Sequence, residues 1–124
     1  MLIGIHHIKL PVSDVARSRA WYQRVLGFET TIEFVEEGVV NGLALQRDGC
    51  QPQIALRLDP DRARAWSGFD PVALLVSSRD EVQRWSARLH DLGEPHDVVQ
   101  GHHGGAVLVG LHDPDGIEIR LYAD

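Results

Sequence analysis

Residues 5–26 read IHHIKLPVSDVARSRAWYQRVL, with a glycine next at position 27. The first eight residues alternate: Ile8, Leu10 and Val12 fall to one side, and Ile5, His7, Lys9 and Pro11 to the other. A period of two marks a strand buried on one face. Ser13 or Asp14 supplies a cap for a helix. From Asp14 to Leu26 the period becomes helical, with Val15, Tyr22 and Leu26 on one face and Ala16 and Ala20 beside them. Gly27 stands where a helix takes a left-handed stop. The stretch is a strand running straight into a helix.

The same plan returns downstream. VALLVS at 72–77 puts Val72, Leu74 and Val76 on one strand face, and Ser78-Arg79-Asp80-Glu81 has the form of a capping box. Val82, Trp85, Leu89 and Leu92 then keep helical spacing, and Gly93 ends the helix. Trp21 and Trp85 are 64 residues apart, as are Val12 and Val76, and Ser13 and Ser77. Ile54 and Ile117, and Leu58 and Leu121, are 63 apart. Such self-similarity is the signature of an internal repeat. Three strands come after each helix: ETTIEFV, GLALQR and QIALRL (53–58) in the first half, and HDVVQ (96–100), AVLVGL (106–111) and IEIRLY (117–122) in the second. The expected fold is α+β, one domain over 1–124, built from βαβββ modules at 4–58 and 70–122 with a connector at 59–69. One helix covers only one side of a four-stranded sheet, so the other face needs the second half or a second chain. Two such sheets side by side would form a curved mixed sheet with a concave cleft.

Composition excludes several classes. Of 124 residues 44% are hydrophobic and 24% charged, as in an ordinary globular protein. No apolar run approaches the roughly 20 residues of a membrane span. Met1-Leu2-Ile3-Gly4 lacks the basic-then-apolar pattern of a secretory signal. The single cysteine, Cys50, cannot close an internal disulfide, so a reducing cytoplasm is the expected location. A net charge of −6 argues against binding a nucleic-acid backbone. The cations are arginines except for Lys9.

HHIKLPVSDVARSRAWYQRVLGFE resembles the opening of the vicinal oxygen chelate superfamily, and DPDGIEIRLY resembles its closing turn and last strand. That superfamily holds glyoxalase I, extradiol dioxygenases, fosfomycin-resistance thiol transferases and bleomycin-binding resistance proteins. The resemblance covers essentially the whole chain and implies the fold known from glyoxalase, bleomycin-resistance protein and dihydroxybiphenyl dioxygenase. It does not select one activity, because one fold hosts several chemistries. Metal-using members take ligands from four matched strand positions. Carried over, these fall on His7, near Arg57, on Pro71 and on Arg120, so the family quartet reads His, Arg, Pro, Arg. Proline has no ligating side chain, and arginine stays protonated. A divalent ion about 4 Å from one guanidinium is repelled by roughly 8 kcal/mol at an effective dielectric of about 20. No cofactor is therefore expected at the family positions, with a divalent metal as the alternative.

Two readings stay open for the basic residues on the cleft face. His7, Lys9, Arg57 and Arg120 would form an anion site with Tyr122 beside them, or the arginines would pair internally with Glu33, Glu118 or another carboxylate. Glu118 shares a strand face with Arg120 and Tyr122, and with His7 it would make an acid/base pair for catalysis. His102 and His103, in a glycine-rich turn, would be substitute metal ligands with His7 and Glu118, or plain loop residues. His6 is expected on the helix side, and His90, His96 and His112 at the surface or in turns. Trp66 and Phe69, in the connector, would line a cleft or cover a subunit edge. The expected function is binding of a small organic molecule by a homodimer, without the family metal, the molecule being anionic if the arginines converge. The alternative is a metal-dependent lyase, isomerase or dioxygenase with a relocated site, and a third reading is an accessory domain. Known drug binders of this shape favour cationic flat ligands, which the arginines argue against.

Overall fold

β1 (His7–Val12) leads into α1 (Val15–Leu26), and the residue that makes the corner is Asp14. Its side chain accepts the backbone N–H of Arg17 at 2.9 Å, which satisfies one of the free amides of the first turn. The helix ends at Gly27, whose φ of 73° is left-handed, and its N–H closes the last turn on Gln23 O at 3.1 Å. β2 (Glu29–Glu36), β3 (Val39–Gln46) and β4 (Gln53–Leu58) complete the first repeat. A short helix, α2 (Pro60–Ala65), occupies the connector, capped by Asp59. The second repeat runs β5 (Val72–Leu75), α3 (Arg79–Asp91), β6 (Asp97–Gln100), β7 (Ala106–Val109) and β8 (Ile119–Ala123).

The computed structural model describes residues 1–101 and 104–124 and divides the chain into two units, Met1–Trp66 and Ser67–Asp124. Each unit holds one four-stranded mixed sheet of the same topology. The order is β1-β4-β3-β2 in the first and β5-β8-β7-β6 in the second. The outer pair β1·β4 is parallel, as is β5·β8, and the other pairs are antiparallel. The fold is thus α+β with two βαβββ units.

Each unit has its own core between helix and sheet. In the first, Leu10, Val12, Leu43, Leu45, Ile54 and Leu56 are at most 1% exposed and face α1. Burying each such side chain contributes about 1.5–3 kcal/mol. The buried face of α1 is Ser18, Trp21, Tyr22, Val25 and Leu26, whereas Val15, expected on that face, is half-buried and Ala16 and Ala20, expected beside it, are exposed. The large aromatics decide the rotation of the helix: Trp21 and Tyr22 bury far more area than two alanines, and their rings meet edge to face at 4.9 Å. In the second unit Val72, Leu74, Val82, Leu89, Leu108, Ile119 and Leu121 form the core. Leu92 is the C-cap of α3 and only half-buried, and Ser78 caps the helix by accepting the Glu81 N–H at 3.2 Å. Glu81 does not close the expected box; its carboxylate pairs with Arg84.

The ladder corrects the repeat register. Ile8 and Leu10 sit opposite Ile54 and Leu56, while Val72 and Leu74 sit opposite Ile119 and Leu121. Ile54 and Leu56 therefore correspond to Ile119 and Leu121, 65 residues on, and not to positions 63 on. A shift of two residues keeps every side chain on its face, so the pattern of alternation gave no warning of it.

Candidate functional site

The face of the first sheet away from α1 carries His7, Lys9 and Pro11 on β1, and Gln53, Ala55 and Arg57 opposite them on β4. Gly42 and Ala44 of β3 continue this surface, with Phe34 and Ile32 of β2 beyond them. The strands meet here with small side chains in the middle and larger ones at the edges. The result is a cavity of about 360 Å³, with Gly42, Ala44 and Ala55 in its lining and Ile32, Phe34, Lys9, Arg57, His6 and His7 around them. That volume is at the low end for a pocket that takes an organic ligand. A second cavity of about 290 Å³, lined by Lys9, Pro11, Arg57, Asp59, Arg62 and Trp66, shares two residues with the first.

His6 lines the first cavity together with His7, although alternation placed it on the helix side. It precedes β1, so the strand's side-to-side rule does not reach it. The two Nδ1 atoms are 2.9 Å apart and the rings lie edge to face. One nitrogen must carry the proton and the other accept it, which couples the tautomers of the pair.

Arg57 donates from Nη1 to Glu36 Oε1 at 2.9 Å. This bond and the attraction of the two charges hold the Glu36 carboxyl below its ordinary range and raise the guanidinium. Glu33, named in the sequence as one possible partner, lies instead against α1 and pairs with Arg19 at 2.8 Å. Arg62 pairs with Asp59 at 3.1 Å. Lys9 is exposed, and among the described residues no carboxylate pairs with it.

In the second unit Arg120 is equally engaged. Its Nε donates to Glu118, and its Nη1 lies 3.2 Å from Asp70 Oδ2. Glu118 is 12% exposed, and His112 Nε2 lies 3.8 Å from its other oxygen. Burial pushes the Glu118 carboxyl up. The hydrogen bonds from Arg120 and the Gly110 amide, with the charges of Arg120 and His112, outweigh burial and carry it below its ordinary value. Tyr122 lies opposite Leu75 on the same strand face as Arg120. Phe69 is exposed and Trp66 half-buried in the connector region. His96 is more than a surface residue: Nε2 meets Ser86 Oγ at 2.7 Å and Nδ1 meets Glu94 O at 2.8 Å, fixing the loop after α3. His102 and His103 lie outside the described residues.

The sheet register also moves one family position. Lys9 sits opposite Ala55, and Ala73, its counterpart in the repeat, sits opposite Arg120. The first-half equivalent of Arg120 is thus Ala55, while Arg57 matches Tyr122. The four family positions carry His7, Ala55, Pro71 and Arg120, which offer one ligating side chain between them. Arg120 is already committed to two carboxylates. These residues do not fit a metal ion. Among the described residues no three His, Cys, Asp or Glu side chains are grouped to hold one elsewhere. Cys50 is half-buried, and burial raises its thiol. That is the opposite of what an activated nucleophile needs.

A tandem pair of βαβββ units with a ligand-sized cavity on a sheet face defines the class of this protein. The chain belongs to the Glyoxalase/Bleomycin resistance protein/Dioxygenase superfamily, whose profile it matches over residues 4–121. It is 29% identical to the Catechol-2,3-dioxygenase of Bacillus subtilis (strain 168), over 97% of this chain and 41% of that protein. It therefore spans about two fifths of the dioxygenase's length. It is 25% identical to the Metallothiol transferase FosB of Bacillus licheniformis, over 98% of this chain and 75% of that one. The crystal structure of TnmS3, an antibiotic binding protein from Streptomyces sp. CB03234, superposes with a TM-score of 0.75 at 19% identity. That match covers 98% of this chain and 96% of TnmS3.

Proposed function

We propose that this protein binds a small anionic organic molecule on the helix-free face of its sheets, without a metal at the family positions. The observation that carries this reading is the cavity of about 360 Å³ with small apolar residues in its lining and Lys9 and Arg57 at its edge. His7, Lys9 and Arg57 are the ligand-facing residues of the first unit, and Glu118, Arg120 and Tyr122 those of the second. His7, with a tautomer coupled to His6, is the group of the first unit suited to give or take a ligand proton, and Glu118 is the carboxylate of the second unit. Ile32, Phe34, Val35 and Leu75 are 47–74% exposed, which favours a homodimer in which a second chain covers apolar strand residues. No helix of the described residues is long and apolar enough to cross a membrane, and a cytoplasmic location is part of this reading.

The test is a melting screen of the untagged full chain against organic acids, neutral compounds and cations, with elemental analysis on the same preparation. A ligand that binds only the folded state raises the melting temperature with its concentration. Stabilisation by acids, no stoichiometric metal and indifference to chelator are expected. The second reading, a metal-dependent lyase or dioxygenase, is favoured by the names of the dioxygenase and metallothiol transferase relatives. About one transition metal per chain, with a turnover that chelator abolishes, would replace the binding reading by that one.

A further inference from the structure

We propose that the ligand of the first unit is a flat, apolar monoanion, such as an aromatic carboxylate, and that Lys9 is the charge that fixes it. This inference rests on the binding reading above and adds the ligand's shape, its charge and the residue that selects it.

The charge is set by which cations are already used. Three cations line the two adjoining cavities: Lys9, Arg57 and Arg62. Arg57 is paired with Glu36 at 2.9 Å and Arg62 with Asp59 at 3.1 Å. Those pairs cancel, and Lys9 is left as a net single positive charge. It lines both cavities, so it stands where they adjoin and not at one far end. A monoanion meets that charge without disturbing either ion pair. A dianion would have to take an arginine from its carboxylate, and a cation would meet a site of net positive charge.

The shape is set by the strand register. Gly42, Ala44 and Ala55 are neighbours across β3 and β4, and Lys9 sits opposite Ala55. These three positions themselves raise nothing longer than a methyl group, with Arg57 opposite Gly42 at one side and Lys9 opposite Ala55 at the other. A methyl group added at Gly42 would come within 3.0 Å of Leu56 O and 3.6 Å of Phe34 Cδ2, so Phe34 closes over the glycine. Phe34 borders one cavity and Trp66 the other. A flat backbone floor edged by aromatic rings suits a planar ring system, because rings stack or meet edge to face. An ammonium on a flexible stem is a point charge that tracks a carboxylate without demanding the fork geometry of arginine.

The experiment is calorimetric titration of the full chain with 2-naphthoate, its neutral analogue 2-naphthamide, and 2,6-naphthalenedicarboxylate. The wild type should bind 2-naphthoate about tenfold more tightly than the amide, the effect of one partly desolvated ion pair. The dianion should gain nothing over the monoanion. Lys9→Met should remove the tenfold preference and leave the amide within about twofold, and Lys9→Arg should restore most of it. The double variant Arg19→Gln/Glu33→Gln, which removes a neutral pair on the α1 side of the sheet and outside both cavities, should keep the preference. Lys9 is exposed, so its variants should melt with the wild type. Equal binding of naphthoate and amide by the wild type overturns the inference, as does a preference that survives Lys9→Met. If naphthoate fails while other compounds of the melting screen bind, this inference fails and the binding reading stands. If nothing in the screen binds, both fail.

Discussion

Replacing Arg120 by Met removes a guanidinium and keeps most of the chain that carries it. That guanidinium serves two carboxylates, and the two contacts differ in worth. Arg120 and Asp70 are 36% and 39% exposed, 3.2 Å apart. Such a surface pair contributes about 0.2–1 kcal/mol. Glu118 is only 12% exposed. A hydrogen bond to a charged group contributes about 1.5–3 kcal/mol, and the Gly110 amide retains part of that when Arg120 is lost. Arg120→Met should therefore cost about 2 kcal/mol at pH 7. The loss must also depend on pH. The folded Glu118 carboxyl is held below its ordinary value. A carboxylate of this kind contributes stability that is fully present above its unfolded pKa, about 4.3, and is lost as pH falls through the folded value. The gap between wild type and variant should thus be widest near neutrality and close below about pH 4. Urea unfolding monitored by the fluorescence of the three tryptophans would measure it across that range. A gap of the same size at every pH would assign the loss to packing of the arginine stem. A variant as stable as the wild type at neutral pH would refute the pairing as a source of stability.

Gly27→Ala and Gly93→Ala test the two helix stops, both at φ 73°. Gly93 has open space around it and should lose about 1 kcal/mol for left-handed strain alone. At Gly27 a methyl group would collide with Arg47 Nη1, which donates to Leu26 O at 2.7 Å, so the cost in a urea melt should be about 2 kcal/mol. Asp113 is 4% exposed, and its Oδ1 accepts the N–H groups of Asp115 at 2.9 Å and Ile117 at 3.0 Å. Asp113→Ala should lose about 1–3 kcal/mol, and Asp113→Asn, which keeps an accepting oxygen, less than half of that. Glu36→Gln alone frees Arg57 and should tighten 2-naphthoate binding several-fold at low salt, an effect that screening removes in high salt. Dialysis against a chelator should leave both the melting temperature and 2-naphthoate affinity unchanged, and a drop in either would point to a metal within the folded protein.

What the sequence determined by itself is local. Alternation in HIKLPV, a cap at Ser13 or Asp14 that falls to Asp14, the capping serine at 78 and the glycines at 27 and 93 act within a few residues and are found in the structure. The repeat, read from paired tryptophans and strand faces, set the βαβββ plan for the same reason. The arrangement of His7, Lys9 and Arg57 on one strand face was also legible, because β1 and β4 pair in parallel and parity alone assigns their faces. What the tertiary structure decided is which distant groups meet. The hydrogen-bond ladder moved the equivalent of Arg120 from Arg57 to Ala55, a two-residue slip to which a period-two pattern is blind. It set Glu36 and not Glu33 against Arg57, because these two residues of β2 face opposite sides and Arg19 already holds Glu33. His6 joined His7 because it lies just ahead of the strand that alternation describes. Lys9 emerged as the cation without a carboxylate, among the described residues of the cavities, only once the acids near the arginines had a place. Periodicity is written in the chain, whereas charge neutralisation is a property of pairs that only folding brings together.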